Sequence, residues 1–158
     1  MERDIALLRH TLATVAYRAA KALRGAPHGF AEYQSHEGTR QPIRILAHMG
    51  DLYDWALSIS QGKEKWNDAQ PLAWEQEVER FFRALKTFDD FLAAGAPTAS
   101  PPEKLFQGAI ADSLTHIGQI AMLRRMYGSP IKGESYYRAE ITAGRIGTDQ
   151  AAPRREFD

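Results

Sequence analysis

Cysteine is absent from the 158 residues of this chain. That excludes disulfides, thiolate metal ligands and a cysteine nucleophile, so any thiol chemistry needs sulfur supplied from outside. An excess of charge of one sign is absent too: Lys plus Arg and Asp plus Glu number 20 each, and the formal net charge is zero. Such a balance argues against a general nucleic-acid binder, whose affinity rests on neutralising phosphates. The local clusters Arg124-Arg125 and Arg154-Arg155 are too small to change this. No apolar run approaches the length of a membrane helix. The first ten residues carry early acidic side chains and a helical pattern rather than the charged-then-apolar layout of a secretory leader. A soluble, cytoplasmic protein without a membrane or nucleic-acid partner is the expectation. A glycine-rich phosphate loop, a Gly-x-Ser-x-Gly run and internal repeats are also missing, so phosphoryl transfer and serine hydrolysis have no motif behind them.

What is present is helical rhythm, in a length that suits one domain with a sizeable core. Ile5, Leu8, Leu12, Val15, Ala19 and Ala22 recur at steps of three and four, which predicts a first helix over about 3–24, stopped by Gly25 and Pro27. A second runs over about 42–60 with Pro42 in its first turn. Its two apolar stripes, one through Ile45, His48, Leu52, Trp55 and Ile59 and one through Leu46, Met49, Tyr53 and Ala56, predict contact with two neighbours. A third, over about 71–94, opens at Pro71 and keeps the rhythm through Trp74, Val78, Phe81, Leu85, Phe88 and Leu92, whose aromatics read as core. A fourth runs over about 101–127, where Ser100, Pro101 and Glu103 resemble a capping box and Tyr127-Gly128-Ser129-Pro130 is a strong stop.

Period-two alternation is short-lived everywhere except near Tyr136–Ile141, inside a tail from 129 to 158 that is read as packed on the bundle. The connection from Gly25 to Gln41 is long for a compact helical protein. A four-helix bundle with one long crossover accommodates it, with the first two helices side by side in the same direction.

Three polar residues interrupt the apolar stripes. Leu105, Ala109, Asp112, His116, Gln119 and Leu123 form one line on the fourth helix, apolar at its ends and polar in its middle, and His48 interrupts a stripe of the second. Imidazole and carboxylate groups placed inside a bundle need hydrogen bonds or a metal. Asp112 and His116, four apart, project from one helical face and can share an ion. Nitrogen with carboxylate ligation suits zinc, nickel, iron or manganese, and three protein donors leave a position for water or substrate.

The other candidates have plain readings beside functional ones. Asp51 is either an acceptor for the His48 ring N–H or a solvated helix residue. Gln119 lines the pocket or marks a polar edge. His10 is structural, beside the apolar face of its helix. His28 and His36 sit in the long loop, within potential reach of the pocket mouth. Arg124 and Arg125 complement the dipole at the end of their own helix.

The segments IleLeuAlaHisMetGlyAspLeu, 45 to 52, and AspSerLeuThrHisIleGlyGlnIleAlaMetLeuArgArg, 112 to 125, resemble the DinB/YfiT-like metal-binding superfamily. In that family a histidine on the second helix meets two ligands one turn apart on the last bundle helix. The likeness covers roughly 1–128, leaving 129–158 as a C-terminal extension without a transferable motif. It implies an all-α four-helix bundle, often dimeric, with a divalent metal on His48, Asp112 and His116. Members with known activity include thiol-dependent transferases and isomerases, and the expectation for this chain is a metal-dependent transferase, isomerase or hydrolase that activates a low-molecular-weight thiol or water for attack on a small electrophile. The commoner pattern has histidine where this chain has Asp112; a carboxylate there lowers the charge of the site and favours harder metals. The competing expectation is a non-catalytic, stress-related binding or dimerisation module whose polar triad is a hydrogen-bonded core network.

Overall fold

The computed structural model describes residues 2–157. Its helices are α1 (Glu2–Leu23), α2 (Pro42–Ser60), α3 (Trp74–Ala93), α4 (Pro102–Leu105) and α5 (Ala111–Met126). A π-helical turn, Phe106–Ile110, joins α4 to α5 without a break, so four helical rods form the body of an all-α fold. Local chemistry accounts for the rods. α1 carries Glu2 and Asp4 in its first turn and Lys21 in its last, matching its dipole. α2 has proline in its first turn, where the missing N–H costs nothing. α3 has Glu75 and Glu77 in its first turn. Gly25, just past α1, takes the left-handed conformation that ends a helix.

The rods close into a ring. α2 packs on α3 and on α5, and α1 packs on the same two, so α1 and α2 occupy opposite corners. The side-by-side placement of the first two helices expected from the long crossover is therefore corrected. The two stripes of α2 do serve two neighbours. The core is built from Leu12, Leu46, Met49, Tyr53, Phe81, Leu85, Phe88 and Ile120, all fully buried. Small residues of α1, among them Ala13, Ala16 and Ala20, let its partners approach closely.

Several boundaries differ from the expectation. α3 starts at Trp74, with Ala73 as its N-cap, rather than at Pro71. Pro101 is the N-cap of α4, and no side chain caps that end, so the capping box at Ser100 and Glu103 does not form. Proline at the cap offers no side-chain acceptor. Tyr136–Arg138 is a 3₁₀ turn; the strands are the two-residue β1 (Gly133–Glu134) and β2 (Glu156–Phe157), paired antiparallel.

The tail lies against α1. Glu134, its carboxylate buried, accepts hydrogen bonds from Tyr17 Oη and Lys21 Nζ, both at 2.7 Å. Ile146 joins the hydrophobic core. The 24–41 crossover is anchored by Phe30, fully buried and edge-on to both Trp74 and Tyr127. Gly29 turns there at φ +85°, and a Cβ at that position would fall 2.7 Å from the Tyr127 hydroxyl, which donates to the His28 carbonyl. Arg124 is buried and donates to the carbonyls of Ala22 and Arg24. It lies in the last turn of α5 and donates to the Ser129 carbonyl just past that helix, and it also closes the C-terminus of α1, a hundred residues away in sequence.

Candidate metal centre

His48 from α2 and Asp112 and His116 from α5 converge on one point of the α2–α5 seam. One donor atom from each lies within 4.8 Å of the other two, a grouping that can hold a metal ion. His48 Nε2 is 3.5 Å from Asp112 Oδ2, and His116 Nε2 is 3.4 Å from Asp112 Oδ1. Both separations are too long for good hydrogen bonds. Each is close to the roughly 3.4 Å expected between two donors bonded at about 2.1 Å to a common ion, the two imidazoles approaching different oxygens of the one carboxylate. The two imidazoles meet edge to face with centroids 4.9 Å apart.

The ring of His116 is held from behind. Gln119, one turn further along α5, has Oε1 2.8 Å from His116 Nδ1. A carboxamide oxygen accepts only, so Nδ1 carries a proton, and the neutral ring then has its lone pair on Nε2, on the side of Asp112. Fixing the tautomer through the other ring nitrogen is the usual support of a metal-ligating histidine. Gln119 thus has a role that the stripe alone left open.

The site is a rim feature, not a core one. Side-chain exposure is 27% for His48, 45% for Asp112 and 9% for His116. The stripe from Leu105 to Leu123 had placed all of its members inward. The π turn takes in one extra residue and shifts the phase, so the buried line continues through Ile110, Ser113, Ile117 and Ile120 while Asp112 swings to the edge. Ser113 fixes that phase: its hydroxyl bonds the Ile110 carbonyl at the end of the π turn and meets the hydroxyl of buried Tyr53.

Asp51 takes neither of its expected roles. It is 5% exposed, and its carboxylate receives Arg80 Nη1 at 3.2 Å and the backbone N–H of Ala69 at 3.1 Å. Its work is to pin the 61–73 connection against α2. Arg80 is shared between Asp51, the buried Glu77 and the carbonyl of Ala47, one residue before His48. Gly50 makes the approach feasible, since a Cβ there would lie 2.9 Å from the Arg80 guanidinium carbon.

The pinned connection carries Trp66 to 5.5 Å from the His48 ring, and Trp55 stacks edgewise on Trp66. Sequence reasoning passed over Trp66; a large aromatic in an otherwise polar linker was the available signal. Arg40 and Arg44 were also passed over. Two cavities flank the triad, one of about 370 Å³ reached by His116 and Gln119 and one of about 250 Å³ reached by His48, and Arg40 lines both. Ser35 and Thr39 bring the crossover to the first cavity. His28 and His36 line neither; both are exposed, and the His36 ring turns to the Glu37 carbonyl. His10 is exposed as well, rather than structural.

Among the described residues, no helix is long and apolar enough to cross a membrane. Compared with family models, curated proteins and solved structures, the chain matches none.

Proposed function

We propose that this protein binds a divalent metal through His48, Asp112 and His116 and uses it as an enzyme, activating a low-molecular-weight thiol or water for transfer to a small electrophile. The observation that carries the reading is the spacing of the donors: separations of 3.5 Å and 3.4 Å about one carboxylate, with the rear nitrogen of His116 already bonded. A hydrogen-bonded core triad, the competing expectation, requires shorter contacts and deeper burial than these. The donor set of two imidazoles and one carboxylate fits zinc, nickel, iron or manganese.

When bound, a divalent ion supplies Lewis acidity that favours the deprotonated form of a thiol or water near neutral pH. The chain supplies the rest. Gln119 holds His116 in one tautomer; the Arg80 cluster and Ala69 hold the Trp66 loop beside His48; the two cavities give a cosubstrate and an electrophile separate approaches. With no cysteine of its own, the protein depends on the cosubstrate for any sulfur nucleophile.

The test is metal content by elemental mass spectrometry on untagged protein beside a His116→Ala variant. About one ion per chain in the parent and far less in a folded variant supports the centre, and thiol-transfer assays on the loaded protein follow. Little metal in both, with no rise in melting temperature on adding zinc, nickel, manganese or iron, would leave a bundle with a polar rim and end the enzyme reading.

A further inference from the structure

The wall between the two cavities is cationic, and nothing in the fold uses that charge. Arg40 ends the crossover just before α2, and Arg44 lies one helical turn ahead of His48 on α2, so Arg44 and His48 share a face. Both arginines are exposed at the cavity that His48 lines, and Arg40 reaches the His116 cavity too. Neither guanidinium has a hydrogen-bond or ion-pair partner among the described residues. Two carboxylates also line the His48 cavity. Asp51 is turned to Arg80 and to the Ala69 N–H, and Asp68 accepts from the Trp66 indole at 2.9 Å. Asp51 shares Arg80 with Glu77, so the two unpartnered guanidinium groups stand against Asp68 and a partly compensated Asp51.

We propose that Arg40 and Arg44 form an anion subsite for a small molecule bearing a carboxylate or phosphate, whose remaining part extends toward His48 and His116. The guanidinium fork matches planar carboxylate and phosphate oxygens two at a time, which point-charge lysines would not do. A helix-borne arginine one turn from His48 sets the direction in which such a ligand enters. Cavities of about 250 and 370 Å³ have room for a molecule of metabolite size. This inference rests on the metal-centre reading for what the ligand does, but not for how it is held.

Isothermal titration of the full chain with succinate and with glycerol 3-phosphate, and with succinamide as the neutral counterpart, tests it. The parent binds at least one of the two anions, and whichever binds identifies the headgroup; succinamide does not bind. The double variant Arg40→Gln, Arg44→Gln weakens that binding about tenfold or more with an unchanged melting temperature, because both side chains are exposed and unpartnered. Equal affinity in parent and double variant, equal binding of succinamide, or no binding of either anion overturns the subsite. The titrations are run on manganese-loaded and metal-stripped protein, beside direct titrations with zinc, nickel, manganese and iron. Arginine-dependent anion binding in a protein that takes up none of zinc, nickel, manganese or iron would end the proposed function and keep the subsite. Manganese uptake without anion binding would do the reverse.

Discussion

Gln119 accepts a 2.8 Å hydrogen bond from His116 Nδ1, on the side of the ring away from Asp112. The bond is internal to α5, three residues along, and Gln119 itself is exposed. Removing it therefore touches the ring and little else. Gln119→Leu is expected to lower metal affinity about 10–100-fold, as loss of such a supporting bond does elsewhere, with thermal stability of the metal-free protein nearly unchanged. Competitive titration against a fluorescent chelator measures the first and a melting curve the second. Unchanged affinity would mean that the ring is oriented by packing alone.

In the proposed centre, Asp112 is the residue expected to decide which ion is preferred. Its carboxylate faces both imidazoles, at 3.5 and 3.4 Å, and is the only anionic donor of the three. Asp112→His replaces a hard oxygen with nitrogen and raises the net charge of the loaded site by one. Preference is expected to move from manganese and iron toward zinc and nickel. Pairwise competition between manganese and zinc, parent against variant, reads this directly. An unaltered ratio would show that Asp112 is not a ligand.

Gly50→Ala tests the support of the His48 helix. The new Cβ would lie 2.9 Å from Arg80 Cζ and 3.0 Å from Nη2. Arg80 is a long side chain, but its head is tied to Ala47 O at 2.6 Å, Asp51 Oδ1 at 3.2 Å and Glu77 Oε1 at 2.9 Å. Moving it strands two buried carboxylates. Despite the better helix propensity of alanine, a loss of about 1–3 kcal/mol is expected. Urea unfolding gives the number, and a neutral or stabilising result would show that the guanidinium relocates freely.

Arg124 plays a comparable part at the C-terminus of α1. Burial without any carboxylate partner pushes its pKa below the usual arginine value, and its bonds run to the carbonyls of Ala22, Arg24 and Ser129. Arg124→Met keeps the volume and orphans those carbonyls. About 2–4 kcal/mol of stability should go, since one buried and two part-buried carbonyls lose a charged donor together. Arg125→Met, exposed and one residue away, is the control and should change little. Denaturant midpoints of the two variants decide the matter.

The rods were legible because apolar spacing is a local record. Phe81, Leu85, Phe88 and Leu92 are buried where the rhythm of α3 puts them, and so are Leu8, Leu12, Val15, Ala19 and Ala22 on α1. The grouping of His48 with Asp112 and His116 was legible for the same reason, as breaks in two stripes. What the spacing hid is non-local. Asp51 depends on Arg80, Arg124 on the end of α1, and Glu134 on Tyr17 and Lys21. Each partner lies far along the chain, and nothing in the flanking residues names it. The π turn is hidden differently: PheGlnGlyAlaIle carries no compositional mark of one extra residue, yet it moves Asp112 from the interior to the rim.

Alkaline pH should lower the stability of the fold through two tyrosines, one under the tail and one in the core. Burial and then the hydrogen bond to Glu134 raise the pKa of Tyr17 well above its usual value of 10.0. Burial likewise raises that of Tyr53, while its bond to Ser113 acts in the opposite direction. In both cases the unfolded chain loses the phenolic proton first. Their stabilisation is therefore fully present below about pH 10 and is lost progressively as pH climbs toward the folded values. Tyr17 lies under β1 and the tail, whereas Tyr53 sits in the core beside Phe81 and Phe88. Tyr17→Phe should flatten the alkaline fall in stability at a cost below it, because Glu134 keeps only Lys21 as a partner. Unfolding free energies measured between pH 8 and 11 on the parent and on Tyr17→Phe check the sign. A parent whose stability rises across that interval would contradict it, since a phenol that ionises first in the unfolded chain can only push the curve downward.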